Sequence, residues 1–232
     1  MPIEEKTYTT PTGAKKRCCS NSSEGGVTEE KPLLDSGERR DFGTGATRDI
    51  QIGKGRCDLL PFGVISDLVR TYDVSVDTFT SYTGNSVTLN ELVFFIFDCI
   101  NDYVKSKEYN QDCILFAVNA FIFYHWGEGV LGIPNVTPKF PYKAILELSK
   151  HFEAGALKYE EDNWKKGVPM HSFLDSGIRH LLKFADNWED EPHDRAFVWN
   201  MLCMLWTEKH FNNCSFDDET RSNIIDLKNR VF

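Results

Sequence analysis

From Leu89 onward apolar residues recur at steps of three and four. Leu89, Leu92, Val93, Ile96, Ile100 and Tyr103 make one series, and Ile114, Leu115, Val118, Phe121, Ile122 and His125 make another. This is the period of an α-helix with one face in a core, and it does not suit a strand, whose side chains alternate every two residues. Phe94, Phe95 and Phe97 widen the first series almost all round, so that helix requires partners on more than one side. The same period places Ile65, Leu68, Val69 and Tyr72 on one face of a helix from Phe62 to about Tyr72. It also runs through Ile145, Leu148, Phe152 and Leu157 in a helix from Tyr142 to about Trp164. Two further helices are expected: Ser172 to Ala185, opened by a Ser-x-x-Asp cap pattern (Ser172, Asp175), and Pro192 to about His210. The fold class that follows is all-α.

The 232 residues suffice for one sizeable domain with an elaboration. Residues 1–43, rich in Thr, Ser, Gly, Glu and Lys and broken by Pro11 and Pro32, read as a disordered, flexible tail. Within it Lys15-Lys16-Arg17-Cys18-Cys19 reads as solvated chain in preference to a basic or lipidated patch. Residues 44–72 and 142–210 form the expected main helical domain. Residues 73–141 read as an inserted helical segment whose end is marked as a linker by Pro134, Pro138 and Pro141. Residues 211–232 are a C-terminal extension with a short helix through Ile224, Ile225 and Leu227. A net charge of -9 excludes a general nucleic-acid binder, which needs a basic stripe. No run approaches the roughly 20 apolar residues of a membrane span, and the N-terminus lacks a secretory leader, so a cytoplasmic location is expected. The seven cysteines have no disulfide-framework or C-x-x-C spacing and are expected to be reduced.

Several charged residues share helical faces. Glu153 and Glu160 are seven residues apart, close to two turns, so they can hold a hard cation or form a solvated acidic face; Glu161 and Lys158 are neighbours. Asp175 and Arg179, at i and i+4, make either an ion pair or a metal ligand beside a phosphate clamp, and His180 follows. His193 and Asn200 are also seven apart, and Asn200 lies in an apolar run, where a buried amide needs a defined partner. Asp190, Glu191 and Asp194 cluster around His193, as ligands or as ordinary acidic groups of a first helical turn. Gly53-Lys54-Gly55 is not a P-loop, which needs GxxxxGK[ST] between strand and helix. Zinc is disfavoured, because His171, His180 and His193 have no short paired spacing and no cysteine supplements them.

TGATRDIQIGKGRCDLLP, then AILELSKHFEAGALKYEEDNWKKGVPMHSFLDSGIRHLLKF and DEPHDRAFVWN, together resemble the dATP/dGTP diphosphohydrolase N-terminal family of phages and bacteria, relatives of the MazG-like pyrophosphatases. The resemblance covers about residues 44–72 and 142–206. It implies a helical bundle of the all-α NTP pyrophosphatase type. It also implies hydrolysis of a purine deoxynucleoside triphosphate to monophosphate and pyrophosphate with Mg²⁺ or Mn²⁺, in a homo-oligomer, dimer or tetramer. Carried onto this chain, it makes Glu153, Asp175 and His193 the catalytic centre. Glu153, Glu160, Asp175, Asp190 and His193 become the metal ligands. Arg48, Lys54, Lys158, Asn163, Trp164, His171, Arg179, His180 and Asn200 become substrate contacts. Ala154 and Ala196 depart from the family pattern at an acidic and a histidine position, which motivates a nucleotide- or partner-binding module as an alternative. A second enzyme reading takes His193-Asp194 as the dyad of an HD-type phosphohydrolase, with His171 or His180 upstream and Asp217 or Asp218 downstream.

Overall fold

A computed structural model describes residues 39–84, 87–106, 110–127 and 139–211. The Lys15 to Cys19 segment, Pro134, Pro138, Asp217, Asp218 and the expected helix through Ile224 lie outside the described residues. The chain divides into two compact units, residues 1–50 and 51–232. In the first, β1 (Arg39–Asp41) and β2 (Thr47–Asp49) pair antiparallel, with Arg40 opposite Arg48. Gly45, at φ +83°, makes the turn and donates its N–H to the Phe42 carbonyl at 2.8 Å. This hairpin crosses the expected tail boundary at residue 43. Its strands are charged and exposed, so no apolar alternation announces them.

The second unit is helical: α1 (Phe62–Arg70), α2 (Tyr72–Thr83), α3 (Leu89–Lys105), α4 (Gln111–Trp126), α5 (Lys143–Lys158), α6 (Met170–Ala185) and α7 (His193–His210). Local chemistry sets several boundaries. Thr88 accepts the Glu91 N–H while Glu91 accepts the Thr88 N–H, a reciprocal cap that starts α3. Helix α5 stops at Lys158, short of Trp164. Asp162 takes a left-handed φ of 59°, and a 3-10 turn, Asn163–Lys166, then brings Trp164 into the core. Helix α6 starts ahead of Ser172: Pro169 is the capping residue, and the Ser172 N–H already bonds the Pro169 carbonyl at 3.0 Å, so the Ser-x-x-Asp pattern is not used as a cap.

The 73–141 segment shares one core with the rest of this unit. Helix α4 is buried on nearly all sides and packs on α1, α2, α3, α5 and α7, so the partners that an all-round apolar helix requires come from the same chain. One polar residue sits at its centre. Asn119, fully buried, donates from its amide nitrogen to the Leu68 carbonyl at 3.0 Å and to Thr71 Oγ1 and Ser75 Oγ at 3.1 Å, tying α4 to the joint between α1 and α2. Asn119→Ala is expected to cost about 2 kcal/mol of stability, because it removes a donor that three acceptors share in a dry core; urea unfolding measures it. Among the described residues no helix is long and apolar enough to cross a membrane.

Candidate functional site

Helices α5, α6 and α7 and the 3-10 turn enclose a cavity of about 520 Å³, within the range of small-molecule sites. Phe152, Trp164, Phe173 and Trp199 give it aromatic walls, and Lys158, Asn163, Ser172 and Asn200 supply polar groups. The indole N–H groups of Trp164 and Trp199 are buried and have no acceptor among the described residues. Such donors ask for a partner, and both rings line this cavity. Asn200, in the apolar run of α7, gives its amide N–H to the Ala196 carbonyl one turn back at 2.8 Å.

At one end of the cavity α6 and α7 bring two imidazoles together. His180 Nδ1 lies 3.0 Å from His193 Nδ1, and Glu191 Oε1 lies 3.6 Å from the first and 3.8 Å from the second. Behind this triangle, His193 Nε2 is 2.7 Å from Asp190 Oδ1, and Asp190 also accepts from Lys183 Nζ at 2.7 Å. Those two bonds, that to Lys183 first, hold the Asp190 carboxyl at about 2. His193 is almost wholly buried, so its ring orientation is fixed. Burial, more than any neighbour, pushes the His180 imidazole below its ordinary value.

The remaining expected site residues fall elsewhere. Glu153 is buried, and both its oxygens are bonded: Oε1 accepts the Gly53 N–H and Oε2 the Gly55 N–H, each at 2.8 Å. The glycine loop therefore wraps a carboxylate of the protein's own helix. Gly55 has φ +85°, and a Cβ there would lie 2.1 Å from Ser149 Oγ, so only glycine passes. Lys54 lies exposed on that loop. Asp175 is exposed and paired with Arg179, and Glu160, on the cavity wall, is paired with Lys166. His171 is exposed in the first turn of α6, and Arg48 belongs to the hairpin unit. Of the five expected metal ligands, the structure brings only Asp190 and His193 into contact. Asp194, the partner of His193 in the HD reading, turns instead to His125 of α4, Oδ2 to Nε2 at 3.1 Å. Burial raises the Asp194 carboxyl, but this bond and a backbone N–H outweigh it and leave it below the ordinary value.

Two titratable lining residues, His151 and Glu191, were not among the expected site residues. Glu191 read as one of several acids near a helix start. His151 lies in an ordinary helical stretch, and only folding sets its ring on Trp199 at 5.6 Å. Burial first, then the nearby His180 and Arg195, pushes the His151 imidazole down to about 4. An unfolded histidine titrates near 6.5, so below that pH the unfolded chain takes up a proton that the folded chain refuses. Stability is therefore full above about pH 6.5 and declines as pH falls toward about 4. Urea unfolding in chelator should show a loss of about 2 kcal/mol between about pH 7 and about pH 5, much reduced in His151→Gln.

Residues 134–219 match the family model described as dATP/dGTP diphosphohydrolase, N-terminal. The matched segment contains α5, α6 and α7, and with them almost the whole wall of the cavity; it does not include residues 44–72. The resemblance read from the sequence holds for this segment. No curated protein and no solved structure matches the chain.

Proposed function

We propose, on the premise that residues 134–219 form a dATP/dGTP diphosphohydrolase N-terminal domain, that this protein hydrolyses purine deoxynucleoside triphosphates to monophosphate and pyrophosphate. The observation that carries the reading is a coincidence in space: the segment with the family likeness builds the aromatic cavity, and the His180, Glu191 and His193 triangle stands at that cavity's wall. Trp164 and Trp199 line the cavity with aromatic rings, which suit a purine base. Asn163 and Asn200 line the same space and orient base or sugar. Lys158, exposed at the wall, meets the triphosphate, which enters as its magnesium complex. In this reading the phosphate chain and the attacking water lie toward the triangle at the cavity wall.

The residues expected for a resident Mg²⁺ do not fit that ion. Mg²⁺ demands a near-octahedral shell of oxygens. Glu153 and Asp175 are engaged elsewhere, and what converges at the wall is two nitrogens and one oxygen.

The test is product analysis. Purified full-length protein is incubated with each deoxynucleoside and ribonucleoside triphosphate in magnesium buffer, with and without added Mn²⁺ or Zn²⁺, and products are resolved by anion exchange. The expected result is dAMP or dGMP with an equal amount of pyrophosphate. Release of inorganic triphosphate would show a different cleavage, and no turnover of any triphosphate under any of these conditions would defeat the proposal.

A further inference from the structure

The geometry points to a resident divalent first-row metal of the imidazole-binding kind, zinc or cobalt(II) in preference to magnesium, held by His180 Nδ1, His193 Nδ1 and a Glu191 carboxylate oxygen. Three observations carry this. First, the donor atoms are spaced correctly. Metal–nitrogen and metal–oxygen bonds of about 2.0–2.2 Å in a tetrahedral shell put neighbouring donors roughly 3.3–3.6 Å apart. The three edges here are 3.0, 3.6 and 3.8 Å, bracketing that range.

Second, the tautomer of His193 follows from its neighbour. An ionised Asp190 only accepts hydrogen bonds, so His193 Nε2 carries the hydrogen of the 2.7 Å bond and Nδ1 presents a lone pair to the triangle. A carboxylate behind the far nitrogen of a ligating imidazole is the usual support of a metal-bound histidine, and Lys183 in turn steadies that carboxylate. Third, the triangle has an open side. His180 and Glu191 both line the cavity, so a fourth position on the ion faces bound water or substrate, the arrangement of catalytic sites in contrast to closed structural ones. Two imidazoles and one carboxylate bind zinc, cobalt or nickel better than magnesium.

The inference does not depend on the nucleotide reading, since the ion can be measured without any substrate. The full-length protein is stripped with chelator, dialysed, and titrated with Co²⁺ and with Zn²⁺. The optical absorbance of protein-bound Co²⁺ reports the ligand field, and isothermal titration gives stoichiometry and affinity. One ion per chain is expected, with excess Mg²⁺ failing to displace it. Asp190→Asn should weaken binding by about 10–100-fold while leaving stoichiometry at one. His193 is buried, so its replacement risks the core; Glu191→Gln and His180→Gln alter side chains at the cavity wall and should each weaken binding at least as much. Their folding is checked by circular dichroism of the stripped proteins. Wild-type affinity in folded Glu191→Gln and His180→Gln, or displacement by equimolar Mg²⁺, would overturn the assignment. The two proposals fail separately: an ion bound with no triphosphate turnover removes the hydrolase and leaves the metal site. Triphosphate turnover by stripped wild-type protein that takes up neither Co²⁺ nor Zn²⁺ removes the metal site and leaves the hydrolase.

Discussion

Replacing Glu153 by alanine is expected to destabilise the protein by about 2–4 kcal/mol and to leave its metal affinity unchanged. The carboxylate accepts two charge-assisted bonds, from Gly53 and Gly55, and bonds of that kind contribute about 1.5–3 kcal/mol each. Part of this is regained when the exposed Gly53 N–H returns to water. Glu153→Gln is expected to recover only part of the loss, because the amide offers one acceptor and sets an NH₂ group against the other backbone N–H. Urea unfolding in chelator measures the stability, and the Co²⁺ titration measures the affinity. The opposite pattern, with stability intact in chelator and binding of the ion lost, would restore the metal-ligand role expected from the sequence. Gly55→Ala tests the same latch from the loop side, since its Cβ has neither the space nor the backbone angle it needs.

Phe121→Ala is expected to cost about 3–5 kcal/mol by leaving a cavity where α4 meets α6 and α7. The ring is fully buried, with centroids 4.9 Å from Phe184 and 4.8 Å from Phe197, edge-on to the first and tilted to the second. It belongs to the segment that reads as an insertion, yet it packs against the helices that carry the metal-binding triangle. A large drop in urea midpoint together with weaker Co²⁺ binding would show that the segment supports the site. A loss below about 1 kcal/mol would mean that α4 is dispensable to the core.

How far each feature was legible follows from the range of the interaction that creates it. The period of Leu89, Leu92, Val93 and Ile96 is a local signal and specifies a helix wherever it packs. Glu153 and Asp175 stood out because their spacing on a helix face is also local, but a spacing does not say what the face meets. For Glu153 it met the N–H groups of a loop about a hundred residues away. The hairpin from Arg39 to Asp49 left no trace in apolar patterning, since its residues are charged and exposed and its order rests on backbone pairing and one glycine turn.

What the sequence determined alone was the helical class, most of the helix positions, the acidic balance and the family likeness of the segment from α5 to α7. These rest on backbone period, capping chemistry and order along the chain, which need no partner. Only the tertiary structure decided which carboxylates are free to act and which two histidines meet. A pair thirteen residues apart on two helices comes within 3.0 Å when α6 and α7 pack side by side, and no spacing along a single helix encodes that approach.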